Sequence, residues 1–196
     1  MKKYKCILAD PPWDYGDRKK YGKEFDYKKR QYKKTIFGGG ADDNYNLMST
    51  EDICSLPVKE ITDENSVLFL WSTFPKLVES FKVIESWGFS YKTLGFNWVK
   101  LNKDKTPFLG VGYYTRSNSE VCLFATKGTN KPKTHSISSI LFTHRFRQHS
   151  RKPDIVYLLI ERLFDGPYLE LFSRRQKEGW DVWGNQIESN FSFENI

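Results

Sequence analysis

Short apolar runs alternate with helical patterns along this chain, and that alternation limits the fold more than any other feature of the sequence. The apolar runs that are rich in β-branched and aromatic residues, which we predict to be strands, are residues 4–9, 67–71, 94–99, 121–125, 168–172 and 181–183. Between them, residues 74–87 and 153–163 carry apolar residues at helical spacing. Strands that alternate with helices predict an α/β domain built around a largely parallel sheet.

The two helical patterns have recognisable ends. The first places its apolar residues on one predicted face, at positions 77, 78, 81, 84 and 87. Gly88 follows and is expected to end that helix, because glycine adopts the left-handed conformation of a helix terminus at little cost. In the second pattern Pro153 stands at the first turn, where its missing N–H costs no helical hydrogen bond.

Composition indicates one soluble globular domain. The chain has 196 residues, which suits a single domain over residues 1–196, and 16% of them are aromatic, enough to bury a core. Cys6, Cys54 and Cys122 lie far apart, which argues against a disulfide framework and for a reducing compartment. Because no apolar run is long enough to span a bilayer, we expect a cytoplasmic protein without a membrane segment.

A formal net charge of +7 favours a polyanionic partner, most often a nucleic acid and more rarely a membrane surface. The charge is densest in a basic, aromatic-rich insertion at about residues 14–46, which has no sustained apolar period. Lys19 and Lys20 could contact phosphates there, and the tyrosines of the insertion could stack on unpaired bases. The alternative is a solvated flexible loop, since a long structureless stretch inside a domain is either functional or disordered.

The motif Asp10-Pro11-Pro12-Trp13 follows the first predicted strand, and open α/β sheets bind ligands at the carboxyl ends of their strands. An adenine amino group is a poor nucleophile. Acceptors such as the Asp10 carboxylate and the Pro11 carbonyl can stabilise the positive charge that develops on its nitrogen during alkylation. Consecutive prolines hold such carbonyls rigidly, and Trp13 offers a flat face to a base turned out of its stack. The alternative is a simple loop opening, for which Asp-Pro-Pro is also suited.

These four residues resemble the catalytic signature of the adenine-N6 amino-methyltransferases, in the branch that includes the eukaryotic messenger-RNA adenosine methyltransferase and small bacterial and phage relatives. Further motifs of that branch recur here in consistent order, at residues 45–49 (Tyr-x-x-Met-Ser), 69–71 (Phe-Leu-Trp), 98–100 (Trp-Val-Lys), 120–123 (Glu-x-Cys-Leu), 149–153 (His-Ser-x-Lys-Pro), 170–174 (Glu-Leu-Phe-x-Arg) and 184–186 (Gly-Asn-Gln). The resemblance therefore covers the chain from Tyr4 to about Ile187.

The resemblance implies a Rossmann-like, S-adenosylmethionine-dependent methyltransferase fold with helices on both faces of the sheet and a permuted motif order. It makes Asp10, Pro11, Pro12 and Trp13 the catalytic residues. The contacts that it implies for S-adenosylmethionine are Asp10, Lys152, Glu170, Leu171, Phe172, Ser173, Arg174, Asn185 and Gln186. Without it, Arg174 and Lys152 are interpreted as surface charges and Asn185 as a turn cap. The chain departs from the messenger-RNA enzyme after Arg174, where Gln176-Lys177 replaces a His-Asn pair.

The resemblance also implies the reaction, the transfer of a methyl group to the N6 amino group of adenine, and its substrate contacts. Tyr45, Lys100 and Glu120 are expected near the target base, although Tyr45 could pack structurally and Lys100 and Glu120 could simply pair. With them, Lys19, Lys20 and Arg145 complete the predicted nucleic-acid contacts. Small single-domain relatives resemble DNA adenine methyltransferases of bacteria and phages. DNA is therefore favoured over RNA, and the expected location is the cytoplasm of a bacterial or phage-infected cell.

Three alternatives remain. The first is the same reaction on RNA. The second is a non-catalytic nucleic-acid-binding partner, because some members of the branch support an active subunit without turning over; a homo- or heterodimer is accordingly possible. The third is a nucleotide-dependent oxidoreductase, against which the lack of a full G-x-G-x-x-G after a strand argues. Methyl transfer from a sulfonium needs no metal, and the histidines lack metal-ligand spacing, so no metal is expected.

Overall fold

A computed structural model describes residues 2–15, 23–26, 31–34, 47–112, 114–144 and 151–195, with the backbone alone at 23–26 and 31–34. In these parts of the chain the strands are β1 (Tyr4–Ala9), β2 (Lys23–Asp26), β3 (Gln31–Lys34), β4 (Thr62–Ser72), β5 (Ser90–Leu101), β6 (Ser119–Lys127), β7 (Ile140–His144), β8 (Tyr168–Leu171) and β9 (Trp180–Trp183). The α-helices there are α1 (Thr50–Ser55), α2 (Val58–Ile61), α3 (Leu77–Ser86) and α4 (Ile155–Leu163), with 3-10 turns at Phe74–Lys76 and Phe193–Asn195.

Seven of these strands form one sheet, in the order β7-β5-β6-β4-β1-β8-β9. β6 runs antiparallel to both of its neighbours, and every other neighbouring pair is parallel. The first strand of the chain lies between β4 and β8, so that Ala9 is the register partner of both Leu70 and Leu171. The predicted α/β class and largely parallel sheet are confirmed, and the early and late motifs are neighbours, as the permuted order implied.

Both faces of the sheet are covered, and β1 shows why. Ile7 and Ala9 belong to a core layer with residues of α1, α2 and α3, whereas Cys6 and Leu8 belong to a second layer with residues of α4. All four side chains are at most 3% exposed. A strand that is apolar on both faces must be central, because each buried aliphatic side chain contributes about 1.5–3 kcal/mol only where helices cover it.

Helix α3 buries only part of its predicted apolar face, with Ile84 and Trp87 at most 2% exposed. Val78 and Phe81, placed on the core face by their spacing, are 69% and 39% exposed, while Ser80 is fully buried. The Ser80 hydroxyl donates to the Ser72 hydroxyl over 2.6 Å. That bond joins the helix to β4 and satisfies a polar group that would otherwise be costly to bury. The predicted end of the helix is confirmed, since Gly88 has a φ of +81°.

Several elements were not predicted. The prediction of a stretch without secondary structure at 14–46 is wrong at residues 23–26 and 31–34, where β2 and β3 pair antiparallel in a separate two-stranded sheet. Helix α1 was also missed, although Ser49 caps it by accepting a hydrogen bond from the Asp52 N–H over 3.0 Å, a local signal of a helix start. No helix in the described residues is long and apolar enough to cross a membrane. The single-domain extent stays a prediction.

Candidate active site

The ends of β1 and β8 build the candidate site. Asp10 follows Ala9, and Phe172 follows the register partner of Ala9, Leu171. The Asp10 N–H donates to the Leu171 carbonyl over 3.4 Å and continues the pairing one residue beyond the strand. Both Asp10 and Phe172 therefore lie at the carboxyl edge of the parallel strands, where α/β sheets bind ligands.

Hydrogen bonds hold the Asp-Pro-Pro-Trp turn in one conformation. The Pro11 carbonyl accepts from the Trp13 N–H and the Pro12 carbonyl from the Met48 N–H, each over 2.9 Å. A carbonyl oxygen has two lone pairs, so Pro11 keeps acceptor capacity for a second donor. Trp13 differs from the expected open stacking face. It is 5% exposed, and its Nε1–H donates to the Trp71 carbonyl over 3.3 Å, which anchors the turn to β4.

Two cavities meet at Asp10. The large cavity, of about 350 Å³, is lined by Asp10, Pro12, Met48, Phe172, Arg174, Trp183, Gly184 and Asn185. The small cavity, of about 60 Å³, is lined by Asp10, Pro11, Trp13, Tyr15, Trp71, Ser72, Thr73, Glu120, Lys152 and Arg174. Asp10 and Arg174 line both cavities. One carboxylate and one cation therefore stand between two spaces, an arrangement that suits a transfer between two bound molecules.

A chain of alternating charges runs from Asp10 across the small cavity. The Lys152 ammonium donates to both carboxylate oxygens of Asp10, over 2.7 Å each, and lies 3.2 Å from the Glu120 Oε2. Glu120 in turn accepts from the Lys100 ammonium at its Oε1. These four side chains are each less than a quarter exposed, with Lys152 at 13% and Glu120 at 14%. We call Asp10, Lys152, Glu120 and Lys100 the charge chain.

The charge chain favours the ionised forms of its two middle members, Lys152 and Glu120. Burial by itself lowers the pKa of Lys152, but the carboxylates of Asp10 and Glu120 outweigh it and raise that pKa above its ordinary value. Burial by itself raises the pKa of Glu120, but the charges of Lys152 and Lys100 outweigh it and lower that pKa. At neutral pH Lys152 and Glu120 therefore both carry charge in the wall of the small cavity.

The wall of the large cavity has an unusual backbone. Phe172 has a φ of +63°, a left-handed conformation that costs a residue with a side chain about 1–3 kcal/mol and is concentrated at functional sites. Its ring lies edge-to-face against Trp183, with 5.4 Å between the ring centroids. Gly184 follows, where a Cβ would come within 2.0 Å of the Ser173 carbonyl oxygen. The close approach of these two backbones requires glycine and shapes this wall.

A buried polar network supports the loop that follows β8. The Glu170 carboxylate accepts hydrogen bonds from Tyr157 over 2.7 Å and from Ser173 over 2.6 Å. Arg175 donates to the Tyr157 hydroxyl over 3.2 Å and pairs with Asp154. Burial raises the pKa of Glu170, although both hydroxyl donors oppose the rise. The network fixes the loop that carries Arg174 between the two cavities.

The structure brings together most of those predicted site residues that it describes. Nine of them line one or both cavities, namely Asp10, Pro11, Pro12, Trp13, Glu120, Lys152, Phe172, Arg174 and Asn185. Lys152, predicted as a cofactor contact, lines the small cavity with Glu120, and Lys100 lies behind Glu120. In the described parts of the chain, the residues that line the two cavities do not include Glu170, Leu171, Ser173 or Gln186. Tyr45, Lys19, Lys20 and Arg145 lie outside the described residues. The roles of all of these residues stay predictions.

Other lining residues were missed by sequence reasoning. Ser72 ends β4 and Thr73 follows it, just as Trp183 ends β9 and Gly184 follows that strand. Their position at carboxyl ends of strands was the available signal. Tyr15, whose hydroxyl lies 2.7 Å from the Thr73 Oγ1, had been counted only as one aromatic of the insertion. No group of His, Cys, Asp or Glu side chains in the described parts is arranged to hold a metal ion.

Comparison with known proteins identifies the class. The family model MT-A70 matches residues 4–186, and the chain belongs to this family of methyltransferases. The oxidoreductase alternative is thereby removed, and the resemblance drawn from the Asp-Pro-Pro-Trp motif is confirmed.

Individual relatives cover almost the whole chain. The Type II methyltransferase M.MunI of Mycoplasma sp is 37% identical over 193 residues, which are 96% of this chain and 80% of that protein. The human N(6)-adenosine-methyltransferase catalytic subunit METTL3 is 26% identical over 191 residues, 95% of this chain and 28% of that protein. The MT-A70-like N(6)-adenosine-methyltransferase of Arabidopsis thaliana is 29% identical over 186 residues, 92% of this chain and 23% of that protein. The chain therefore spans most of the bacterial relative but only about a quarter of the eukaryotic ones.

Proposed function

We propose that this chain transfers a methyl group from S-adenosylmethionine to the exocyclic N6 amino group of adenine in DNA. The observation that carries the proposal is the position of Asp10. Asp10 lines both cavities and directly follows β1, and its carboxylate is held by Lys152. A transfer between two molecules requires such a meeting point, because near-attack geometry supplies much of the acceleration of a two-molecule reaction.

The residues of the large cavity fit S-adenosylmethionine. Its volume of about 350 Å³ lies in the range of small-molecule sites. The rings of Phe172 and Trp183 offer apolar faces for a nucleobase, Asn185 offers an amide for ribose or base, and Arg174 offers a cation for a carboxylate. When bound, the cofactor supplies an electrophilic methyl group on a sulfonium.

The groups of the small cavity suit the acceptor. The Asp10 carboxylate accepts a hydrogen bond from the adenine amino group, and the second lone pair of the Pro11 carbonyl accepts another. These acceptors stabilise the positive charge that develops on the nitrogen, and they do so best when held in place before the reaction. Lys152 provides that hold through two 2.7 Å contacts with Asp10. No strong base is needed, since the nitrogen loses its proton to Asp10 or water only after methylation has made it acidic.

DNA is the proposed substrate for two reasons. The net charge of +7 suits a polyanion. The Type II methyltransferase relative matches over 80% of its own length, whereas the relatives named as N(6)-adenosine-methyltransferases match over 23–28% of theirs. The names of the latter keep RNA as the second candidate. A pairing with another subunit and a cytoplasmic location stay predictions.

The test is transfer of labelled methyl from S-adenosylmethionine to matched double-stranded DNA, single-stranded DNA and RNA, followed by nucleoside analysis. We expect N6-methyladenine in DNA, and an Asp10→Ala variant at least about 100-fold slower because it loses the preorganised acceptor. Asp181→Asn is the matched control, since that carboxylate also binds a lysine, Lys2, over 2.6 Å but lines neither cavity in the described parts. Near-wild-type turnover by Asp10→Ala would overturn the assignment of Asp10. Methyl-adenine found only in RNA would make RNA, the second candidate, the substrate. No transfer to any substrate, together with no heat release on titration with S-adenosylmethionine, would favour a non-catalytic partner.

A further inference from the structure

Lys100 is the member of the charge chain that stands farthest from Asp10. It lies on β5, next but one to Trp98, and it is the register partner of Thr143 on β7. Its ammonium donates to Glu120 and sits over the ring of Trp98, 5.0 Å from the ring centroid. The described linings of the two cavities include Glu120 and Lys152 but not Lys100. Lys100 therefore meets the site through Glu120.

We propose that Lys100 is a positioning residue of the transfer reaction, which holds the Asp10 carboxylate in its reactive orientation by acting through Glu120 and Lys152. This inference rests on the proposed function for its kinetic consequence, but its structural part can be tested without it. It assigns Lys100 a different task from the direct contact with the substrate that the sequence predicted.

The order of charges gives the physical reason. Lys152 is shared between two carboxylates, at 2.7 Å from both oxygens of Asp10 and at 3.2 Å from Glu120. Lys100 supplies Glu120 with a second cation, so the carboxylate of Glu120 attracts the Lys152 ammonium less strongly. Without Lys100, Glu120 competes with Asp10 for the Lys152 ammonium, because an ionised carboxylate that is only 14% exposed needs a countercharge. The Lys152 ammonium would then shift toward Glu120, and its hydrogen bonds to Asp10 would weaken.

Two tryptophans hold the two lysines in place. Lys152 lies over the Trp71 ring at 5.5 Å from its centroid, as Lys100 does over Trp98, and the two rings meet edge-to-face at 6.5 Å. The face of an indole ring attracts a cation placed over it. The Trp98 Nε1–H donates to the Thr143 Oγ1 over 2.7 Å, which fixes the plane of that ring. The orientation of Lys100 is therefore set by β7, at the edge of the sheet.

The experiment compares Lys100→Met, which keeps the aliphatic stem and removes the charge, with Lys133→Met. Lys133 forms an exposed ion pair with Asp165 and serves as the matched control. For Lys100→Met we expect a kcat at least about tenfold lower, because small displacements of reacting groups cost that much. The Kd for S-adenosylhomocysteine should be unchanged. The protein should remain folded at the assay temperature, because Lys152 still provides Glu120 with a countercharge. Thr143→Val should lower kcat by a smaller factor and Thr143→Ser should restore it, since serine keeps the hydroxyl that accepts from Trp98.

Three results would overturn the proposal. The first is a kcat of Lys100→Met close to that of the wild type. The second is a loss confined to KM for the nucleic acid, with a binding salt slope reduced by about one, which marks a direct phosphate contact. The third is an unchanged NMR signal of the Lys152 side-chain ammonium in Lys100→Met, where we expect that signal to move. The NMR result separates the positioning role of Lys100 from the proposed function, because it tests the charge chain even if the wild type methylates no adenine.

Discussion

Replacing Lys152 with methionine tests the charge chain most directly. The change keeps an unbranched apolar side chain of similar length but leaves Asp10 and Glu120 facing each other with Lys100 as their remaining cation in the chain. Removing one partner of a buried ion pair costs about 3–5 kcal/mol, because the other charge stays buried. Lys152 is 13% exposed and Lys100 still serves Glu120, so we expect the lower end, about 3 kcal/mol of unfolding free energy at pH 7.

The assay is chemical denaturation at neutral pH, supported by thermal melting. For a domain of this size, a loss of about 3 kcal/mol corresponds to a fall in Tm of about 6–12 °C. Lys133→Met is again the control, and its exposed pair should cost no more than about 1 kcal/mol. A double-mutant cycle adds Glu120→Gln, which should cost at least about 1 kcal/mol less in the Lys152→Met background, since the amide removes one of the two facing charges.

Two results would refute this reasoning. If Lys152→Met costs less than about 1 kcal/mol, its contacts behave as an exposed surface pair and the charge chain is not held in a low-dielectric site. If the effects of Lys152→Met and Glu120→Gln add within about 0.5 kcal/mol, the two side chains do not interact in solution.

Two further predictions concern the cofactor wall and the network beneath it. Gly184→Ala places a Cβ against the Ser173 carbonyl, and overpacking of this kind typically costs about 1–3 kcal/mol. We therefore expect the Kd for S-adenosylhomocysteine, measured by calorimetry, to rise about tenfold. An unchanged Kd would contradict this prediction. Burial raises the folded-state pKa of Glu170, so the ionised form is disfavoured and stability is lost as pH rises from about 4 through that pKa. Glu170→Gln should therefore stabilise the protein more at pH 7 than at pH 4, measured by denaturation at both values, and the opposite order would show that the carboxylate is stabilised in the fold.

Local pattern was enough to find the core of the fold. From Cys6 to Ala9 the first strand is apolar on both of its faces, which only a central strand of a covered sheet accommodates. The residues after such a strand lie at the edge where ligands bind. Asp10 could be assigned to a site from that position and from its two prolines. Gly88 likewise predicted the end of α3, because the left-handed conformation of a glycine is a local property of the chain.

Spacing alone misjudged which side of an element is buried where a polar contact decides it. In α3 the apolar Val78 and Phe81 face solvent, and Ser80 faces the sheet, because its hydroxyl has a partner on β4. The strand at Ile140–His144 was missed because the apolar residues Ile140 and Phe142 occupy exposed positions. Its sequence therefore does not show the alternation of apolar and polar residues that marks a half-buried strand.

By itself, the sequence determined the class of fold, the strand that carries Asp10 and the types of residue that surround it. The tertiary structure alone decided which of those residues meet. Lys152 is 142 positions from Asp10 and reaches both of its oxygens, whereas Glu170, only two positions from Phe172, forms a separate buried network. The physical reason is that periodicity records which face of its own element a residue occupies, while contacts between elements depend on strand order and register. Those are fixed by how distant segments pair and pack against one another.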